Sequence, residues 1–283
     1  MSANTASSGG KPVVLLTGAS RGLGLGILKL LLSGSGSLST GSASFQAASV
    51  VTVSRTLSDE LKALQTQHPD DLVCVQGDVA DPNVNQHAVQ TATHKWGRLN
   101  SVVLNAGIVT TDKIADLTPE AFSEILSVNT VSLVTTVRAA LPALRASGGS
   151  VVFVSSGAAV GNTAGWTAYN ASKAAMNAIA RTLANEEPEL AVFSVRPGVI
   201  DTDMQTFLRS DGHLRMKESE VQRFLTMHKE GKLLQPHQPG FSIAALALKG
   251  TRDSPKDKDG NGLGSQGAFF NWDAPELADG FKL

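Results

Sequence analysis

Six short apolar runs, spaced so that a helix fits between each and the next, constrain the fold of this chain more than any other feature. They are Val13-Val14-Leu15-Leu16, Val50-Val51-Thr52-Val53, Leu72-Val73-Cys74-Val75, Val102-Val103-Leu104, Val151-Val152-Phe153-Val154 and Val192-Phe193-Ser194-Val195. Runs that are apolar at consecutive positions need cover on both faces of the strand, which antiparallel sheets with one wet face do not provide. The pattern predicts an α/β domain with a central parallel sheet, doubly wound, with helices on both faces. Ala268-Phe269-Phe270 adds a strand near the end, for a sheet of about seven. A flexible tail over residues 1–11 precedes a single domain over 12–283. A domain of that size buries enough apolar surface to stand without disulfides or metal.

Three stretches depart from the alternation. Residues 33–49 read SGSGSLSTGSASFQAAS, a Gly/Ser-rich insertion between the first helix and second strand, expected to be flexible and remote from any chemistry. Between 203 and 235, Phe207, Leu208, Leu214, Met216, Phe224, Leu225 and Met227 are interspersed with charges, as in helices flanking a cleft. Residues 251–266, rich in Asp, Lys and Gly, read as a solvated loop before the last strand.

Directly after the first run comes Thr17-Gly18-Ala19-Ser20-Arg21-Gly22-Leu23-Gly24, then a helical pattern through Ile27, Leu28 and Leu31. Glycines at a strand-to-helix turn let the backbone approach a pyrophosphate, and the helix end supplies unpaired N–H groups and a positive dipole. Gly18, Ser20, Arg21, Gly22, Leu23 and Gly24 are therefore candidate dinucleotide contacts in a Rossmann-type domain. A glycine cluster alone is more often just a turn; its position between strand and helix makes the difference. The second strand ends at Ser54-Arg55, where an NAD site usually places an acid for the ribose 2′-OH. With no acid there, Ser54, Arg55 and Arg21 fit a 2′-phosphate, because guanidinium matches phosphate oxygens in a forked geometry. The cofactor expected on this ground is NADP(H). Either arginine taken singly would pass as an ordinary surface charge.

Tyr169-Asn170-Ala171-Ser172-Lys173 opens another helix. A Tyr and a Lys four apart share a helix face, so the ammonium is expected to lower the phenol pKa from about 10 toward working pH. Tyr169 is the only tyrosine in the chain. Thirteen residues earlier, Ser156 follows the strand ending at Ser155. Chemistry in parallel sheets gathers at the carboxyl ends of strands, so Ser156 and the start of the Tyr169 helix can converge there. A turn or a helix cap is the ordinary reading of a Ser-Ser pair in that place.

Composition excludes several classes. With 24 basic against 25 acidic side chains there is no field to hold nucleic acid or an anionic membrane. No apolar leader and no uninterrupted stretch of membrane-spanning length occurs, so the expectation is a cytoplasmic protein. The lone Cys74 sits in an apolar run and reads as a buried small side chain.

The ordered set Thr17-Gly18-x-x-x-Gly22-x-Gly24, Asp78, Asn105-Ala106-Gly107, Asn129, Ser156, Tyr169-x-x-x-Lys173 and Pro197-Gly198 resembles the short-chain dehydrogenase/reductase family over roughly residues 12–202. That resemblance implies hydride transfer between a nicotinamide and a carbonyl carbon. It implies that Tyr169 gives the proton, Ser156 orients the substrate oxygen, Lys173 tunes Tyr169 and holds the nicotinamide ribose, and Asn129 holds a relay water. It further assigns Asp78 and Val79 to the adenine, and Asn105, Ala106 and Gly107 to the cofactor groove. Pro197, Gly198, Val199, Ile200 and Thr202 would then lie near the carboxamide, and no metal is expected.

Within the family, Val154-Ser155-Ser156-Gly157-Ala158, Gly165-Trp166-Thr167-Ala168-Tyr169, Glu186-Glu187-Pro188 and Asp201-Thr202-Asp203-Met204-Gln205 are most similar to benzil reductases and sepiapterin reductases. The implied substrates are bulky or aromatic ketones and 1,2-diketones, walled by Trp166, Met204 and Phe207, with Phe224 either joining the wall or packing helices. A sepiapterin-type site would use an acid near the end of the chain, and Asp273 could fill that place. A non-catalytic NADP(H) sensor is a second class, against which the intact Tyr169 and Lys173 argue. A sugar-nucleotide epimerase would need a larger substrate domain than the eighty or so residues after Gly198. A homodimer through helices near 120–146 and 169–187 is the expected assembly.

Overall fold

The structure, a computed structural model, describes residues 10–35, 44–278 and 280–283. The chain runs β1 (Val13–Thr17), α1 (Gly22–Ser33), β2 (Ser49–Ser54), α2 (Asp59–Gln67), β3 (Leu72–Gln76), α3 (Pro82–Trp96) and β4 (Ser101–Leu104). It continues through α4 (Pro119–Leu126), a π-helical turn (Ser127–Val131), α5 (Ser132–Ser147), β5 (Ser150–Val154) and α6 (Thr167–Glu186). Then come β6 (Ala191–Arg196), α7 (Asp203–Asp211), α8 (Glu218–Lys229), α9 (His237–Lys249), α10 (Leu263–Gln266) and β7 (Ala268–Asn271). All seven strands pair in parallel in the order β3-β2-β1-β4-β5-β6-β7. Every strand expected from the apolar runs is present. The order reverses between β1 and β4, and the crevice outside the carboxyl ends of those two strands is where a doubly wound sheet binds ligands.

Alternate residues of each strand feed opposite cores, as the period of two requires. Val14 and Leu16 face Ile27, Leu28, Phe241 and Ile243. Val13 and Leu15 face the side of Ala88, Val137, Met176 and Leu183. Burial of each such Leu, Ile, Val or Phe contributes about 1.5–3 kcal/mol, so the two layers dominate the stability of the sheet. Helix ends follow local chemistry. Asp81 accepts the Asn83 N–H at the start of α3, Pro82 occupies the first turn, and Gly97 at φ 73° ends it.

Two of the three irregular stretches are more tightly held, among the described residues, than their composition implies. Of the 33–49 insertion, residues 36–43 lie outside the described residues. Its far side is anchored: Phe45 is buried with its ring 5.1 Å from that of Phe241, and its carbonyl accepts the Ser35 N–H. The 251–266 segment is not simply a solvated loop, since Leu263 is buried in the core. Arg252 Nη1 donates to the carbonyls of Ala184, Glu187 and Leu190 at 3.2, 3.0 and 2.9 Å, which ties the segment to the end of α6 and the turn into β6. Carbonyls left unpaired at a helix end explain why a guanidinium binds there. After Asp273 the tail returns to the sheet, burying Leu277 and Phe281 in the core that also holds α1 and α9.

Residues 119–147 form one continuous helical stretch with mean hydropathy 1.3 in its most apolar window, enough by length and composition to cross a bilayer. Its apolar face lies instead against the sheet core, through Val128, Leu133, Val137 and Leu144.

Candidate active site

The turn after β1 is built to hold a phosphate backbone closely. Gly18 and Gly22 have φ of 73° and 55°, a region that favours glycine. A Cβ on Gly24 would lie 2.0 Å from the Gly18 carbonyl oxygen, so no side chain fits there. Arg21 precedes α1 without capping it, so the first-turn N–H groups of α1, with Leu23 buried beneath, point out of the helix end. The turn is clamped to β4: Thr17 Oγ1 accepts from the N–H groups of Asn105 and Ala106, both at 3.0 Å. Asn105 Nδ2 returns two hydrogen bonds to the carbonyls of Thr17 and Gly18. This cradle of bare backbone fits the pyrophosphate of a dinucleotide.

At the outer end of the cradle, Ser54 Oγ accepts the Ala19 N–H at 3.1 Å, and Ser58 Oγ donates to the Ser20 carbonyl at 2.7 Å. Ser54 is thus buried and partly committed to shaping the turn, while Arg55 is exposed. Arg21 is not a free cation: its guanidinium pairs with Asp203. Asp78 Oδ1 accepts the Ala80 N–H at 2.9 Å, and Val79 is buried with its carbonyl accepting from Asn85 Nδ2.

The candidate catalytic residues gather at the start of α6. Tyr169 and Lys173, one turn apart, are both buried, and Lys173 Nζ donates to the Val154 carbonyl at the end of β5, 2.9 Å away. That bond seats the first turns of α6 against the strand that leads to Ser156. The ammonium lies 5.8 Å from the centre of the Tyr169 ring. Burial lowers the Lys173 pKa to about 8. Burial also raises the Tyr169 pKa, opposed by a hydrogen bond with Ser156. The expected lowering of Tyr169 by Lys173 is therefore not what the protein groups produce, because the ammonium is spent on Val154 and the phenol is desolvated.

Ser156 caps the turn that follows it and also meets Tyr169: its Oγ accepts the Ala158 N–H at 3.1 Å, and the same hydroxyl shares a hydrogen bond with the phenol. Asn129 is fully buried in the π-helical turn. Its amide exchanges two 2.9 Å hydrogen bonds with the backbone of Ile108 and donates to Ser172 Oγ at 3.1 Å. A side chain on Gly107 would stand 3.3 Å from Asn129 Oδ1 and 3.8 Å from Lys173 Nζ, which puts the Asn105-Ala106-Gly107 segment beside both.

Above the carboxyl edge lies a separate apolar cluster of Ala158, Trp166, Tyr169, Leu208, Met216, Val221 and Phe224, with Val109 and Val199 against it. Trp166 stacks on Phe224 at 6.0 Å and 14°, and meets Tyr169 edge-on at 5.4 Å and 87°. Met204 is half-buried, and Phe207 points outward, 37% exposed. Val221 was not singled out from the sequence, and Leu208 and Met216 were read only as apolar residues of the helices flanking a cleft. The i,i+4 pair Met204–Leu208 and the i,i+3 pair Val221–Phe224 carried the signal, since each marks one face of a helix. After Pro197, Gly198 turns at φ 81°, Val199 and Asp201 bracket Leu234 through backbone hydrogen bonds, Ile200 is buried, and Thr202 starts α7. Asp273 is exposed beyond β7. Cys74 is half-buried, and burial pushes its thiol pKa up, as for an inert packing residue.

The comparisons with known proteins agree with this architecture. Residues 12–212 match the short chain dehydrogenase family. An uncharacterized oxidoreductase of Schizosaccharomyces pombe is 39% identical over 238 residues, covering 83% of this chain and 90% of its own. A benzil reductase ((S)-benzoin forming) of Saccharomyces cerevisiae is 35% identical over 253 residues, covering 86% and 92%. Among solved structures, a short chain dehydrogenase/reductase of Saccharomyces cerevisiae superposes with a TM-score of 0.84 at 33% identity, over 96% of this chain and all of that one. Sheet order, glycine turn and sequence all point one way: the chain belongs to the short-chain dehydrogenase/reductase family of oxidoreductases.

Proposed function

We propose that this oxidoreductase reduces bulky or aromatic ketones and 1,2-diketones with NADPH, in the cytoplasm, with Tyr169 as general acid. The observation that carries this reading is the meeting of a buried Tyr169 phenol, the Ser156 hydroxyl and the Trp166–Phe224 aromatic wall in one place. A bound nicotinamide supplies hydride to the carbonyl carbon. Ser156 holds the carbonyl oxygen, and Tyr169 donates its proton to that oxygen as negative charge develops. A phenol whose pKa is raised by burial remains protonated at neutral pH, as a reductase's acid must. Lys173, with a pKa near 8, is mostly cationic at pH 7 and supports that charge through Tyr169 and the nicotinamide ribose. Both Asn129 Nδ2 hydrogens are taken by Ile108 and Ser172, so a relay water held by this side chain would donate to the remaining lone pair of Oδ1. The remaining cradle contacts are the glycine turn, Asp78, Val79, the 105–107 segment and the 197–202 loop.

The test is NADPH oxidation at 340 nm with benzil, an aryl α-diketone, a simple aldehyde and sepiapterin, in the wild type and Tyr169→Phe. We expect aryl diketones to turn over fastest, and Tyr169→Phe to lose about 10²–10⁴-fold in kcat. Full activity in Tyr169→Phe would refute the assignment of the acid. Cell fractionation checks the compartment.

A further inference from the structure

At the glycine turn two parts of the chain 182 residues apart meet: Arg21 Nη1 and Asp203 Oδ2 lie 2.9 Å from each other. Arg21 belongs to the glycine turn. Asp203 opens α7, the helix that sends Leu208 into the apolar cluster over Tyr169. The backbone on the Arg21 side is fixed, since Ser54 holds the Ala19 N–H and Ser58 holds the Ser20 carbonyl. What can move is the guanidinium. Both side chains of the pair are largely exposed, 74% and 72%, so the pair is weak and is exchanged at small cost.

A guanidinium that gives one N–H to a carboxylate is turned toward it and has one donor fewer for a phosphate, and the carboxylate repels a phosphate dianion nearby. NADH carries no 2′-phosphate and is indifferent to both effects. We propose that Asp203 is a specificity-determining residue that restrains cofactor choice: by holding Arg21, it weakens the preference for NADPH that Arg21 and Arg55 set. The proposal rests on the reading of Arg21 and Arg55 as the 2′-phosphate site. It makes the first residue of α7 a part of the cofactor site as well as of the cover over the substrate.

Asp203→Asn in the full chain keeps the shape of the side chain and removes its charge. Dissociation constants for NADPH and NADH, read from cofactor fluorescence without substrate, test it. NADPH binding should tighten about two- to fivefold, the scale of an exposed ion pair, with NADH binding unchanged. The gain should vanish in an Arg21→Gln background and shrink as salt is raised. Equal changes for both cofactors, or a gain that survives Arg21→Gln, would overturn the proposal. Arg55→Asp, measured beside it, separates two failures. If Arg55→Asp abolishes an NADPH preference while Asp203→Asn does nothing, the role of Asp203 falls and the 2′-phosphate site stands. If the wild type binds both cofactors equally and Arg55→Asp changes nothing, both readings fall.

Discussion

Replacing Lys173 by Met should make this protein more stable at neutral pH while disabling the site. Lys173 is buried, and its pKa falls from 10.5 to about 8 with burial as the cause. A difference of roughly 2.5 units corresponds to about 3 kcal/mol by which the folded state disfavours the ammonium. Below pH 8 the ammonium is present in both states, so the whole penalty is in force. Between pH 8 and 10.5 the unfolded chain holds a proton that the folded one has shed, so stability rises with pH and the penalty disappears. Methionine removes the charge at similar length. It also leaves the Val154 carbonyl without its 2.9 Å partner, a loss of about 1–3 kcal/mol.

The expected balance at pH 7 is a gain of about 1 kcal/mol for Lys173→Met. Urea unfolding of both proteins from pH 7 to 9.5 reads it directly, because titrations common to the two cancel in the difference. The wild type should gain about 2 kcal/mol relative to the variant between pH 8 and 9.5, so that the curves cross. Parallel pH curves, or a variant less stable than the wild type by several kcal/mol at pH 7, would refute the argument that a buried, desolvated ammonium is maintained here at the expense of stability. The upper pH limit keeps Tyr169, whose pKa is raised from 10, out of the titration.

Gly24→Ala would set a Cβ 2.0 Å from the Gly18 carbonyl oxygen and 2.6 Å from Asn105 Nδ2, both parts of the clamp between β1 and β4. Cofactor binding measured by fluorescence should fall by more than tenfold, and unchanged affinity would show that the turn is not the cradle. We propose that the homodimer expected from the sequence covers the start of α5, where Val134 is 48% exposed and Val131, the last residue of the π-helical turn before it, is 52% exposed. Sedimentation should give a dimer that Val134→Lys converts to monomer; a monomer at all concentrations in the wild type would sink the proposal.

The sheet was legible because each strand's apolar run states its own burial on both faces. Val151-Val152-Phe153-Val154 needs no partner to be named before it reads as an interior strand. The glycine turn and the Tyr169–Lys173 pair were legible for the same reason, since their spacing and flanking elements are local. What the sequence hid are contacts fixed only by tertiary packing. Nothing near Phe45 indicates that it will close on Phe241, and nothing near Arg252 indicates three carbonyls around the end of α6. The cluster facing Tyr169 uses Leu208, Met216 and Val221, whose inward faces depend on how α7 and α8 lie over the sheet. Phe207, the more conspicuous apolar residue, lands on the outside because it precedes Leu208 by a single step, about 100° around the helix.

The one expectation that reversed sign is the Tyr169 pKa, and the reversal bears on the direction of the chemistry. A local reading places an ammonium beside a phenol and lowers its pKa, which would favour the phenolate, the base of an alcohol oxidation. In the fold, Lys173 Nζ is drawn to the Val154 carbonyl and rests over the ring, while both groups lose water. Desolvation then dominates and holds Tyr169 neutral. A neutral phenol hydrogen-bonded to Ser156 is ready to give a proton and poorly suited to take one at pH 7. On the proposed reading, the same burial that costs stability at Lys173 favours the acid form of Tyr169 in the unliganded site, and that preference should weaken as pH approaches the Tyr169 pKa.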